Sequence, residues 1–309
     1  KGRYMESNTP AGVERQRMKH APWRRWGTYV SERQWGTVRE DYSEDGDAWT
    51  YFPHDHARSR VYRWGEDGIG GFCDDRQTLC LAVALWNGQD PILKERLFGL
   101  TNCQGNHGED VKELYYYLDA TPTYSYARML YKYPQAAYPY QVLLEQNQQR
   151  GKRQEEFELL DTGIFAENRY FDIEIEYAKA EVDDILMRVT AHNRGTDAAR
   201  LHLLPQLWFR NTWNWFAGAV KPRLRAEGDR RVLIEHSALG QWAADFDSPQ
   251  QLLFCDNETN VQRIFNQTDA PAGYFKDAFH DYVIHGQTHA VNPERTGTKA
   301  AGLFVLDLA

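Results

Sequence analysis

Apolar and polar residues alternate most cleanly over Tyr170–Tyr177, Tyr-Phe-Asp-Ile-Glu-Ile-Glu-Tyr, which sets Phe171, Ile173 and Ile175 opposite Asp172, Glu174 and Glu176. A period of two marks a strand with one face in a core. The pattern continues through Asp184–His192, turns at Asn193-Arg-Gly-Thr, and resumes at Leu201–Phe209, Arg231–His236, Gln241–Phe246 and Gln251–Cys255. Short strands separated by polar turns predict an antiparallel β-sandwich. The apolar run Leu79–Trp86 predicts a buried strand, and Thr298–Ala309 a final strand that would leave its sheet with an unfinished edge.

Helical signals are few. Thr9 as N-cap and Pro10 at the first helical position predict a helix running to about His20, before Pro22. Helical propensity returns over Ser125–Tyr133 and closes at Pro134. Residues 21–75 show no sustained period and are rich in Gly, Asp, Trp and Arg, which predicts long, contact-forming loops. Two regions follow: residues 1–75, an N-terminal helix with long loops, and residues 76–309, the β domain. Trp26-Gly-Thr and Trp35-Gly-Thr form an internal repeat too short for a solenoid.

Nine of the eighteen tyrosines fall between Val111 and Tyr140, at a spacing that fits no single amphipathic element. A tyrosine joins an apolar ring to a polar tip, so the patch suits an aromatic core, a domain-docking surface or a sugar cleft. Trp208-Phe-Arg-Asn-Thr-Trp-Asn-Trp215 poses the same choice, with docking of a further domain preferred.

The net charge of -8 argues against a nucleic-acid partner, and Arg15–Arg25 reads as a solvated helix face. No run approaches the roughly 18 apolar residues of a membrane span, and the first thirty residues are no secretory signal. Cys73, Cys80, Cys103 and Cys255 lack zinc-site spacing and disulfide density, so a reducing cytoplasm is the default location. The chain begins at Lys1 with Met5 internal, as in a piece of something larger.

Ser31–Ser43, Phe52–Arg60, Lys94–Leu100, Gly105–Lys112 and Gln206–Trp213 closely resemble bacterial members of glycoside hydrolase family sixty-three, the family of processing α-glucosidase I. The resemblance runs over nearly the whole chain. It implies an all-β antiparallel super-sandwich followed in the intact protein by an (α/α)6 barrel that carries the catalytic acid and base. Inverting glycosidases hold these carboxyls about 6.5–9.5 Å apart. By the resemblance both lie outside this chain, which then contains no catalytic residue and takes no cofactor. Its partners would be the barrel and, in the intact enzyme, an oligosaccharide. A stand-alone carbohydrate-binding or scaffolding module is the rival class.

Within the first string, Trp35, Arg39, Asp41 and Tyr42 concentrate an indole, a guanidinium, a carboxylate and a phenol. They are the candidate substrate-binding residues, on a loop expected to face the barrel and to be exposed without it. Trp35 would give apolar contact, and Arg39 and Asp41 would hold sugar hydroxyls or orient a barrel side chain. The acidic cluster Glu40, Asp41, Glu44, Asp45, Asp47 reads as a solvated or Arg-paired loop. His54-Asp55-His56 would present two imidazoles on one face if extended and, with His107 and Glu109, resembles a cupin-like ligand set. Pro53 and the missing strand pattern favour hydrogen-bonded structural histidines, so no metal is expected. His280, His285 and His289 invite comparison with sugar mutarotases, which fold analogy alone does not license.

Overall fold

The computed structural model of the chain describes residues 10–36, 52–100, 104–105 and 110–309. Sixteen strands and five α-helices appear among them. Helix α1 spans Pro10–Arg17, within the stretch where the sequence predicts a helix, and β1 is Trp26–Gly27. Helix α2 is one turn, His54–Ala57, followed by β2 (Ile69–Asp74), β3 (Leu79–Trp86), β4 (Gly99–Leu100) and β5 (Asp110–Val111). Next come β6 (Leu114–Ala120), β7 (Tyr126–Pro134), α3 (Tyr140–Gln148), β8 (Tyr170–Glu181), β9 (Asp184–Asn193) and β10 (Ala199–Phe209). The chain continues with β11 (Arg223–Glu227), β12 (Arg231–His236), β13 (Gly240–Asp245) and β14 (Gln251–Cys255). Helices α4 (Val261–Phe265) and α5 (Ala278–His285) precede β15 (Thr296–Gly297) and β16 (Lys299–Leu308). No helix among the described residues is long and apolar enough to cross a membrane.

The fold is all-β and sandwich-like. A six-stranded sheet runs β1-β2-β3-β10-β16-β14, a second sheet β6-β7-β8-β9, a third β13-β12-β11-β15, and β4 pairs with β5 in a short ribbon. Every strand pair is antiparallel. One core takes side chains from all three sheets: Val83, Leu203, Leu207 and Phe209 from the first, Tyr131, Phe171, Ile173 and Ile175 from the second, and Leu224, Val232 and Ile234 from the third. On the other face of the second sheet the alternating charges pair off. Lys132 and Arg194 meet Asp172, Arg128 meets Glu174, and Arg188 meets Glu176.

The six-stranded sheet is covered on both faces. Leu204, Leu253, Ala301 and Leu303 point away from the main core and pack on Ala278 and Phe279 of α5 and on Leu93. Two buried faces leave no polar side to alternate, which accounts for the unbroken apolar run of β3.

Two local expectations are corrected. Ser125–Tyr133 is no helix: Tyr126–Pro134 is strand β7, pairing β6 on one side and β8 on the other. Ala127, Met129, Tyr131 and Tyr133 are buried and alternate with partly exposed Arg128, Leu130 and Lys132, so sheet packing overrides the helical propensity of Ala, Arg, Met and Leu. The last strand is no edge either, because β16 lies between β10 and β14 and hydrogen-bonds to both.

Helix α1 buries no side chain. It is held by Glu14, whose carboxylate accepts hydrogen bonds from Thr123 N (2.9 Å), Thr123 Oγ1 (2.7 Å) and Ser125 Oγ (2.8 Å) at the β6–β7 turn. Nearby, Lys179 Nζ donates to the carbonyls of Trp23, Trp26 and Thr123, tying the N-terminal segment to β8; burial draws its pKa down to about 8.

The polar part of the second cover is a dry layer of ion pairs built on Lys94-Glu95-Arg96, whose residues are 1%, 3% and 2% exposed. Lys94 Nζ lies 2.8 Å from Glu113, Glu95 accepts from Lys299 Nζ at 2.6 Å, and Arg96 Nε lies 3.2 Å from Asp67. Breaking one such pair strands a buried charge, at a cost of about 3–5 kcal/mol. We therefore expect Lys299→Met to lower unfolding free energy in urea by that order. The double variant Glu95→Gln/Lys299→Met should lose clearly less than the two single changes added together. Additivity of the two would show that the pair is uncoupled.

Candidate functional site

Of the four residues singled out for substrate contact, Trp35 lies within the described structure. Arg39, Asp41 and Tyr42 lie outside the described residues, as do the acidic cluster at 40–47, His107 and Glu109. Trp35 is 0% exposed and packs with Phe52, Ala57 and Tyr62, its indole N–H donating to the Leu97 carbonyl at 3.3 Å. An indole walled in by the chain's own residues offers no apolar surface to a ligand, so here the expectation of an exposed contact gives way to packing.

His54 and His56 sit on the single turn α2, where residues two apart diverge, so the shared face of an extended segment is lost. His54 is buried against the rings of Trp35, Phe98 and Tyr140, and its Nε2 has no hydrogen-bond partner among the described residues. Ring packing, rather than the expected hydrogen bonding at Nε2, holds it. Burial, reinforced by Arg96, Lys94 and Arg58, pushes its pKa well below the usual imidazole range. His280 on α5 accepts the Leu93 N–H at Nδ1 (3.2 Å) and faces Arg58 Nη1 across 3.1 Å at Nε2. Burial first, then Arg58, lowers its pKa to about 3. His280, Asp281 and His285 bring ligand atoms within 4.8 Å of one another, but the guanidinium at His280 Nε2 opposes a cation there.

The Trp208–Trp215 cluster divides. Trp208 (4% exposed) and Trp213 (8%) belong to the domain's own cores, whereas Trp215, Phe216 and Val220 stand exposed on one turn.

The tyrosine run divides too, into β6, β7 and the start of α3. Five of its hydroxyls donate to carboxylates: Tyr131 to Glu113 (2.8 Å), Tyr133 and Tyr140 to Asp90 (3.0 and 3.3 Å), Tyr126 to Glu176 (2.7 Å) and Tyr117 to Glu32 (2.5 Å).

The last of these bonds closes one wall of a cavity of about 670 Å³ between the β1–β2 end of the six-stranded sheet and the β6–β7 edge of the second. Two strand irregularities border it. In β2, Gly70 and Gly71 together oppose the one residue Ala82, and Gly70 has φ +61°, as in bulges that begin with a left-handed glycine. A Cβ on Gly70 would stand 2.6 Å from Ile175 and one on Gly71 2.6 Å from Val30, so neither position tolerates a side chain without displacing the floor. In β6, Leu118 is an extra residue between the pairs Tyr117–Met129 and Asp119–Arg128. Tyr124, also on the wall, takes the left-handed φ of 52°, uncommon for a bulky residue.

Glu32 is the chemically unusual group in this cavity. It is 7% exposed, and no ion pair reaches it among the described residues. Burial raises its pKa, with the Tyr117 hydroxyl pulling the other way. Sequence reasoning passed over Glu32, Tyr117 and the Gly70-Gly71 pair. Glu32 lies in a family-like string and Tyr117 in the tyrosine run, so both carried a signal, but no spacing rule joins residues 85 positions apart.

No family model matches the chain. Over 317 aligned residues, covering 91% of the chain, it is 46% identical to the uncharacterized protein YMR196W of Saccharomyces cerevisiae. The chain spans 29% of that protein's length. The similarity is high enough to carry a shared fold.

Trp35→Ala should cost about 3–5 kcal/mol in unfolding free energy, the range for emptying a large aromatic site. A loss near zero in denaturant titration would return Trp35 to the surface. Glu32→Gln should act oppositely. A carboxyl whose folded pKa is raised destabilises the fold once pH exceeds its unfolded value near 4.3. The amide should therefore be the more stable form at pH 7, with a higher melting temperature. This difference in melting temperature should shrink as pH falls toward 4, the unfolded value. A variant less stable than the parent at neutral pH would contradict the buried, unneutralised carboxylate.

Proposed function

We propose that this chain is the non-catalytic super-sandwich domain of a longer α-glycosidase of the family sixty-three kind, acting on oligosaccharides, whose catalytic carboxyls belong to an (α/α)6 barrel. The observation that carries the reading is the use made of the family-like strings. Glu95 of Lys94–Leu100 is bound to Lys299, and Asp55 of Phe52–Arg60 to Arg263 at 2.6 Å. Ser59 of the second string donates to Asp277 at 2.6 Å, and Trp208 of Gln206–Trp213 is buried beside β3. Carboxylates so engaged hold one cover of a sheet together and are unsuited to moving protons at a glycosidic bond.

Two further observations support the reading. The exposed turn Trp215-Phe216-Ala-Gly-Ala-Val220 offers apolar surface of the sort that a neighbouring domain covers. The yeast relative is more than three times as long as the stretch it shares with the chain, which leaves ample length for a barrel.

The purified 309-residue chain should not hydrolyse aryl α-glucosides, and the extended protein that contains it should. Turnover by the isolated chain, or an extended protein inert toward α-glucosides and α-linked oligosaccharides alike, overturns the proposal.

A further inference from the structure

We propose that the cavity between the β1–β2 end and the β6–β7 edge binds a small organic ammonium ion, held between the Glu32 carboxylate and the ring face of Tyr117. The inference concerns this domain alone and does not rest on the glycosidase reading.

Countercharge comes first. Three other buried carboxylates are neutralised from within, Glu95 by Lys299, Glu113 by Lys94 and Asp67 by Arg96, while Asp74 and Asp277 receive several neutral donors each. Glu32, as deeply buried as Glu113, has a phenol instead of a cation among the described residues. An ionised carboxylate so placed gains most from a cation that arrives as ligand.

Tyr117 supplies the second contact. It is 65% exposed, yet its hydroxyl is fixed on Glu32 and its ring stands edge-to-face against Tyr115 at 5.7 Å. A ring fixed at its tip and open at its face is a ready platform, and aromatic faces attract ammonium groups within about 6 Å.

Size and sign complete the case. At about 670 Å³ the cavity falls within the roughly 300–1,000 Å³ of small-molecule sites. Its floor, Val30, Met129 and Ile175, is apolar and suits alkyl groups. Asp119 adds a second carboxylate to the wall, while the Arg128 guanidinium is drawn to Glu174 at 2.5 Å. Anionic ligands are disfavoured by this charge, and a neutral ligand would leave Glu32 without a countercharge.

The test is calorimetric titration of the 309-residue chain with choline, with n-butylammonium, and with 3,3-dimethyl-1-butanol, the uncharged carbon analogue of choline. Choline and butylammonium should bind, and the uncharged analogue at least about tenfold more weakly. Glu32→Gln and Tyr117→Ala should each weaken choline about tenfold or more, while Tyr117→Phe, which keeps the ring, should stay within about threefold. Glu32→Gln is expected to be the more stable protein, so its lost binding cannot be ascribed to unfolding; thermal melts of each variant check this directly. The proposal fails if neither ammonium binds at millimolar concentration, if the uncharged analogue binds as tightly as choline, or if both variants retain choline affinity. Maltose displacing choline would also overturn it, in favour of a neutral saccharide site. Hydrolysis is not the readout, so failure here leaves the glycosidase proposal untouched, and the reverse holds.

Discussion

A sheet buried on both faces needs a second cover, and here much of that cover is charged. Lys94, Glu95 and Arg96 follow one another in a segment that bridges to Leu85 of β3, and none of the three reaches water. Charges removed from solvent are tolerated only when every one meets a partner, because the desolvation penalty of an ion rivals its attraction to a neighbour. That requirement reaches far along the chain: to Asp67 before β2, Glu113 before β6, Lys276 before α5 and Lys299 in β16. Buried ion pairs in general add little net stability beyond what an apolar cover of the same volume would give. We infer that they fix which covering segment lies over which strand, since any other register leaves an ion unpaired.

The tyrosines answer the same requirement. A lysine satisfies part of a carboxylate's acceptor capacity, and the rest must come from other donors that fit a packed interior. Glu113 shows the full solution: Lys94 and the Phe98 N–H on one oxygen, the Tyr131 hydroxyl on the other. Asp90 receives Tyr133 and Tyr140 and stands 3.9 Å from Lys94. The tyrosine run is therefore in part, at Tyr131 and Tyr133, a set of rings that fill core volume while their tips solvate buried anions. At Tyr117 alone among these bonds, the acceptor is buried but no cation completes the arrangement among the described residues.

Much of the architecture was legible in the sequence wherever turn residues bracket a strand. Leu79–Trp86, Arg231–His236 and Gln251–Cys255 begin and end as their patterns indicate. Pattern reading failed where side-chain chemistry and backbone preference disagree. In β7 the buried positions alternate, but Ala127, Met129 and Leu130 favour helix in isolation, and aromatic or cationic residues on both faces blur the period. The central place of β16 was illegible because strand order depends on which distant strands pair. The site was less legible than the fold. Trp35 was expected to stand exposed as a ligand or domain contact, but it is packed on the chain's own Phe52 and Tyr62, and polarity along the sequence does not reveal which way an indole turns.

The cavity and the charged cover are two results of one geometrical conflict. The six-stranded sheet must follow its own twist while meeting two separate four-stranded sheets across a shared core, and it cannot lie flat against both to their edges. At the β1–β2 end the mismatch is absorbed by extra residues, Gly70-Gly71 on one wall and Leu118 on the other, each of which breaks a ladder just where the walls part. Filling the gap would take little: any side chain on Gly71 would push Val30 from its place on the cavity floor. The sequence instead keeps glycine there and lines the space with the Glu32 and Asp119 carboxylates and the exposed ring of Tyr117. A space held open by two bulges, and bordered by a buried carboxylate that no cation meets among the described residues, is better explained by a ligand than by imperfect packing.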